Sequence, residues 1–343
     1  MIQLHNDQIT FAFATPIPVK PLTMKRLTLA AATLAVVAVG VESCNLKALL
    51  DDNIKQFNED SNRYKSELDQ TDSDINNALS DMPGFGKTAG SEEAFAVFSS
   101  PLCGVTIDSS ELANNIVTFN FDGTTPCFSP SLTRSGSIRV ELINGTSWAQ
   151  AGAVIEQTFT DFKITRLSDN ATIMFNGVKT LENIDGHDWI QFLLGNTDFS
   201  YRERALNMDV TFDNNESAVW NSARVTTWSY HPQGTVSGIP YAHIGFEATG
   251  DTTINGSGTT DSWGTNRFGQ DFVTFYNSSI KSNTYCGLWR FNSGELVHEV
   301  NGDSYMLTLG VNTDGSLSTG TCAYGFKVSW DVNGNSNSAI FSY

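Results

Sequence analysis

From about Gly104 onward, apolar and polar residues alternate with a period of two, and that alternation limits the fold more than any other feature. Val117, Phe119 and Phe121 alternate with Thr118 and Asn120. Ile138, Val140 and Leu142 alternate with Arg139 and Glu141, and Met208, Val210 and Phe212 with Asp209 and Thr211. Tyr305, Leu307, Leu309 and Val311 repeat the pattern, as do Phe326, Val328 and Trp330. Successive side chains of a strand point to opposite faces, so each run reads as a half-buried antiparallel strand. Asn-Gly or Asp-Gly pairs punctuate the runs at residues 122, 144, 176, 185, 255, 301, 314 and 333. Such pairs suit the positive φ angles of tight hairpin turns. The pair Asn176-Gly177 falls within Thr172–Leu181, which reads as continuous strand and therefore fits an internal bulge. The expected fold is mainly β, with large meandering antiparallel sheets arranged as a sandwich or as an open curved half-barrel.

The period changes upstream. Leu46, Leu49, Leu50, Ile54, Phe57, Tyr64, Leu68, Ile75 and Leu79 fall mostly three, four or seven residues apart, a helical spacing. Asp51, Asp52, Glu59, Asp60, Glu67, Asp69, Asp72 and Asp74 read as the other face. The segment is expected to be an amphipathic acidic helix, broken near Thr71-Asp72-Ser73 and ending at Met82-Pro83-Gly84. It reads either as a spacer that docks on the body or on a partner, or as a solvated tether with a modest apolar stripe.

Before the helix, Met24-Lys25-Arg26 is a basic start, and Leu27 to Val41 carries no charge. The apolar run is short for a membrane span and fits a secretory signal. Val41-Glu42-Ser43-Cys44 has the form of a lipobox, in which the Cys is acylated and becomes the new N-terminus. Cys44 is therefore the expected lipidation site. Residues 1–23, with Pro16, Pro18 and Pro21, fit no part of a signal and read as a start set too far upstream. The expected organisation is a lipoprotein signal at 24–43, a helical tether at 44–89 and a single all-β body at 90–343.

Four of the five cysteines remain once Cys44 is acylated. In an oxidising compartment an even number suggests two disulfides. Three pairings are open, and an internal echo favours one of them. The order Cys-Gly, strand, Asp-Gly, Cys, strand occurs in residues 103–142 and again in 286–330. That pseudo-repeat favours Cys103 with Cys127 and Cys286 with Cys322. Four free thiols are the rival reading.

The segments TFNFDGTTPC, TRSGSIRVELI, AGAVIEQTFTDFKIT, ARVTTWSY and GTCAYGFKVSW resemble a family of Bacteroidota lipoproteins of unassigned function. The resemblance covers about Cys103 to Trp330 together with the signal. It implies a lipid-anchored outer-membrane protein with a long β-rich body and brings no catalytic residues with it. Proteins of that kind displayed on the cell surface often carry acidic residues directly after the Cys. Here Asn45-Leu46-Lys47 intervenes, which leaves the cell surface and the periplasmic face both open.

Composition narrows the chemistry. A formal net charge of −17 argues against nucleic acid, which attracts clustered Lys and Arg. His187, His231, His243 and His298 have no helical zinc spacing, and no G-x-S-x-G elbow occurs. Asp331, Asn333, Asn335 and Asn337 alternate, and Asn312 to Gly315 is similarly rich in side-chain oxygen, but hairpin turns account for both. No cofactor, metal site or catalytic set is expected. The most suggestive constellation is a strand over Val219–Tyr230, one face of which carries Trp220, Ser222, Arg224, Thr226, Trp228 and Tyr230. With Arg202 and Arg204 on the preceding strand, this face reads as a groove for a glycan or an acidic ligand. Cross-strand packing of Arg on Trp reads the same residues as sheet stabilisation. Asp251-Thr252-Thr253 resembles an O-glycosylation signal at Thr252.

Three functions are expected in descending order: a non-enzymatic envelope module that binds a glycan or another envelope component, a structural or adhesion lipoprotein, and a periplasmic lipid carrier. An unfilled apolar concave face would favour the carrier.

Overall fold

The computed structural model describes residues 52–80, 82, 85, 102–127, 131–187, 192, 197–236, 239–251, 260–283, 285–286, 290–319, 322–332 and 335–343. The signal, Cys44 and Thr252 lie outside the described residues.

Among the described residues, one helix, α1 (Asp52–Ser80), precedes the strands. They follow in chain order as β1 (Val105–Asp108), β2 (Ile116–Asp122), β3 (Leu132–Asn144), β4 (Ala153–Arg166) and β5 (Thr172–Asn183). Next come β6 (Phe199–Phe212), β7 (Ser217–Val236), β8 (Ile239–Gly250), β9 (Thr260–Thr265) and β10 (Asp271–Asn283). The series ends with β11 (Ser293–Val300), β12 (Asp303–Val311), β13 (Gly325–Val332) and β14 (Asn335–Ser342). All belong to a single 14-stranded antiparallel sheet in which sequence neighbours are almost always sheet neighbours. The meander is as expected, and one continuous sheet replaces the sandwich alternative.

The single departure from the meander is at β8 and β9. Gly250 pairs with Arg224 on β7, and Ser262 pairs with Ser222, two positions along the same strand. Both strands also pair with β10. They therefore lie end to end in one slot of the sheet, and Asp251 directly follows β8 there.

Among the described pairs, Asn301-Gly302 forms a tight hairpin turn. Asn301 and Gly302 both have positive φ at the β11–β12 turn, which a two-residue hairpin with matching twist requires. Asn176-Gly177 is instead internal to β5, and the register with β6 shifts there. Similar shifts occur at Ser135/Ser137 between β3 and β4, at Phe159/Phe162 between β4 and β5, and at Ala205/Met208 between β6 and β7. This row of irregularities runs through four successive strand pairings, from β3 to β7. Bulges bend strands and increase twist, so the row gives the sheet a crease.

The helix lies across the strands on the inner face of that crease. Asp74 meets Arg134 of β3, whereas Phe57 meets His298 of β11. Those residues are about 26 Å apart along the helix at 1.5 Å per residue. The strand path from β3 to β11 takes seven steps, about 34 Å at 4.8 Å each. The difference of about 8 Å is within the reach of the side chains that meet at the two ends, so the helix spans the sheet from β3 to β11.

This arrangement corrects the expectation of a solvated tether. Phe57, Tyr64, Leu68, Ile75 and Leu79 are buried in the same core as Val117, Phe175, Trp220 and Phe272. The acids of the helix are not a solvent face either. Asp60, Asp72 and Asp74 are buried, and each meets a base on the sheet side. Arg267 bonds Asp60 at 2.6 and 2.7 Å, Lys179 bonds Asp72 at 2.6 Å, and Arg134 sits 2.7 Å from Asp74. The break expected near Thr71-Asp72-Ser73 is absent: the helix runs through it, with Thr71 Oγ1 donating to the Glu67 carbonyl. Helix and sheet form one unit.

Both disulfides favoured by the echo are present: Cys103–Cys127 and Cys286–Cys322. Cys103 precedes β1, and Cys127 lies between β2 and β3. Cys286 lies between β10 and β11, and Cys322 between β12 and β13. The order Cys, strand, strand, Cys, strand therefore recurs towards the two ends of the sheet.

Candidate functional site

The inner face of β7 is the place to begin. Its even-numbered residues from Trp220 to Trp228 share that face, as the alternation predicts. Trp220 is fully buried and stacks between Tyr64, at 4.8 Å and 18°, and Phe57, at 5.9 Å and 13°. Phe272 packs against its remaining side at 4.5 Å. Arg224 is also buried. Its guanidinium donates to Glu203 at 3.0 and 3.2 Å and to Asp69 of the helix. Trp220 and Arg224 therefore meet the helix where the sequence reading had an open groove.

Arg202 and Arg204 are on the other side of the sheet. On β6 the odd residues Phe199, Tyr201, Glu203 and Ala205 point inward, so the two arginines point outward. Arg202 donates to Glu182 at 2.5 Å, and Arg204 donates to Asp251 at 2.9 Å. Asp251 is 1% exposed, and Arg202 Nε lies 3.5 Å from it. These contacts fasten Asp251, at the end of β8, to the two arginines of β6. The five residues predicted as one ligand groove are thus divided between two faces of the sheet. Four of them are engaged in structural contacts, Trp220 and Arg224 with the helix and Arg202 and Arg204 with Glu182 and Asp251.

Trp228, the fifth, borders an opening. Beyond Arg224 the helix no longer covers β7, and a cavity of about 40 Å³ remains between them. Asp69, Asp72, Ser73 and Asn76 line it from the helix, at the i, i+3, i+4 and i+7 positions that share a helical face. Glu203, Tyr201, Trp228 and Phe246 are among the residues that line it from the sheet. The Trp228 and Phe246 rings meet edge to face at 5.1 Å and 69°.

Carboxylate oxygens of Asp69, Asp72 and Glu203 lie within 4.8 Å of one another. Three acids that close repel, and two buried cations answer them. Lys179 Nζ donates to both oxygens of Asp72 at 2.6 Å, and Arg224 bridges Asp69 and Glu203. Burial pushes the Asp72 carboxyl up to about 6, with Lys179 opposing the rise. Burial raises Asp69 as well, against the pull of Arg224. Burial also acts upward on Glu203, but there Arg224 and Lys179 together prevail and hold it below its ordinary value. The spacing of the oxygens suits a cation. Carboxylates engaged in this way are poor general bases, because each proton taken up breaks an ion pair.

No family model, curated protein or solved structure matches the chain. The reading of the site therefore rests on its own chemistry.

His298 is a further titratable group buried inside the molecule. Its Nδ1 lies 2.7 Å from Thr274 Oγ1, and Phe57 covers the ring edge-on. Burial lowers it to about 3, so the ring is neutral at physiological pH. Lys65 and Asp261 pair at 2.6 Å nearby, and Tyr276 donates to Asp261 at 2.6 Å. The Lys65–Asp261 pair joins the helix to β9, and Tyr276 supports it from β10. At the surface, Asp314 accepts from the Ser316 amide and hydroxyl, which makes that oxygen-rich segment a turn. No helix among the described residues is long and apolar enough to cross a membrane.

The acids of the helix are the functional residues that sequence reasoning missed. Their spacing was visible, but their partners are 107 and 155 residues away in the chain.

Proposed function

We propose that the chain is an exported, lipid-anchored protein of the bacterial outer membrane whose body is a non-catalytic binding or interaction module. The observation that carries the reading is the filling of the inner sheet face by the helix. A protein that carries lipid needs an apolar cavity, and here Trp220, Phe272 and Phe175 are packed against Phe57 and Tyr64 instead. What remains for a partner is the outer face and the small opening beside Trp228. Two disulfides that close local loops accord with export to an oxidising compartment. The lipobox at Val41–Cys44 and the resemblance to Bacteroidota lipoproteins supply the anchor. The expected ligand is a glycan or another envelope component, with a purely structural lipoprotein as the alternative.

Intact mass of the protein extracted from its native membrane tests the anchor. The expected species begins at Cys44, carries acyl chains, and is lost in Cys44→Ser. An unacylated species beginning elsewhere would contradict it. Protease treatment of intact cells separates display at the surface from the periplasmic face. A glycan array probed with the full-length protein tests the ligand class, and silence there together with no captured envelope component favours the structural alternative.

A further inference from the structure

The opening beside Trp228 combines features that a structural seam does not need. Asp69, Asp72 and Glu203 carry three negative charges when ionised, whereas Lys179 and Arg224 supply two positive ones. The cluster is one positive charge short of neutrality in a setting that already penalises charge. Asn76, 3% exposed, lines the same cavity, and its side-chain Oδ1 has no hydrogen-bond partner among the described residues. An orphaned buried carbonyl calls for a donor. The walls include the aromatic rings of Trp228 and Phe246, whose faces favour cations. The Asp69 side chain is 34% exposed, so the cavity has a mouth open to solvent.

We infer that this cavity is a binding site for a primary ammonium head group, with Asp69, Asp72 and Asn76 as acceptors and Trp228 and Phe246 as walls. The charge deficit is one, which a monovalent cation closes and a divalent ion overshoots. The ligands available favour the same occupant, because Lys179 and Arg224 already claim oxygens that a calcium ion would need for its six to eight contacts. A single water occupies about 10–15 Å³ of such a cavity. A cavity of about 40 Å³ thus admits an ammonium and its first methylenes but not a sugar ring. The rest of the ligand stays outside the mouth. The chemistry is shared by an amino sugar and by an aliphatic amine such as a lysine side chain.

The inference rests on the binding-module reading but not on the lipid anchor. Its test is a calorimetric titration of the full-length protein at neutral pH with n-butylammonium, glucosamine, n-butanol and calcium, each followed also by tryptophan fluorescence. The expected result is saturable millimolar binding of n-butylammonium and a loss of about tenfold or more for isosteric n-butanol. Glucosamine matching n-butylammonium would assign the natural ligand to amino sugars, and weaker glucosamine would assign it to aliphatic amines. Asp69→Asn is expected to weaken n-butylammonium by about tenfold. Because Asp69 also supports Arg224, a second variant, Ser73→Leu, blocks the mouth from the helix without touching an ion pair and is expected to abolish binding. Equal binding of n-butanol, preference for calcium, no saturable binding, or binding indifferent to Ser73→Leu would each overturn the inference. A glycan array with hits and a silent amine titration would refute this site alone and leave the binding-module reading standing.

Discussion

Trp220 shows at the scale of a single residue how an apparent ligand contact becomes a core contact. Its ring is enclosed by Phe57, Tyr64 and Phe272, so truncation leaves a cavity that two different elements must line. Trp220→Ala is expected to cost about 3–5 kcal/mol in chemical denaturation, far more than loss of a surface aromatic. A cost under about 1 kcal/mol would mean that the ring is solvated. Lys179 and Asp72 are read by a double-mutant cycle. Lys179→Met alone leaves a buried carboxylate without its partner and is expected to cost about 3–5 kcal/mol, whereas Lys179→Met with Asp72→Leu recovers most of it. Two buried groups oppose each other in pH dependence. His298 titrates near 3 in the folded protein against an ordinary 6.5, so the unfolded chain takes up a proton that the native state refuses. Its contribution is complete above pH 6.5 and is lost as pH falls towards 3, at about 1.4 kcal/mol per unit. Asp72 titrates near 6 against 3.8, so the native state holds a proton that the unfolded chain releases, and its contribution is lost as pH rises from 3.8 through 6. Measured as differences from the wild type between pH 4 and 6, His298→Gln is expected to gain relative stability as pH falls and Asp72→Asn to lose it. Parallel curves for either variant would contradict the assigned burial.

At the scale of elements, the strands were legible and the role of the helix was not. Alternation along Val117–Phe121 or Tyr305–Val311 is local, and a hairpin turn such as Asn301-Gly302 is fixed by its own backbone requirement, so both can be read without knowing the fold. The shared face of Trp220, Arg224 and Trp228 was read correctly for the same reason. The parity of β6 relative to β7 was not readable, because it depends on register and on the irregularity at Ala205/Met208. The sequence therefore could not tell that Glu203, rather than Arg202 or Arg204, is the neighbour of Arg224 on the inner face. The helix presented a different difficulty. Its apolar stripe is thin, and its acids look like a solvated face until their partners are known. Those partners, Arg134, Lys179, Arg224 and Arg267, come from strands and a turn distributed over the whole sheet. Burying charge is costly unless it is paired, and pairing over such separations leaves no local pattern. The disulfides were legible through the repeated order of Cys and strand, which is a property of the sequence itself.

For the whole molecule, the consequence is that the segment after the proposed anchor is part of the core. A meander of this width with one helix on its inner face depends on that helix to cover the apolar residues between β3 and β11. The buried ion pairs and the stack at Trp220 are two aspects of one interface, and they stand or fall together. Amide hydrogen exchange along Asp52–Ser80 in the full-length protein tests this most directly. The account predicts that the amides around Phe57, Tyr64, Leu68 and Ile75 are protected as strongly as those of β5, β6 and β7, and that they open with the sheet in a single global event. Helix amides that exchange rapidly while the sheet stays protected would contradict it and return the helix to the role of a tether.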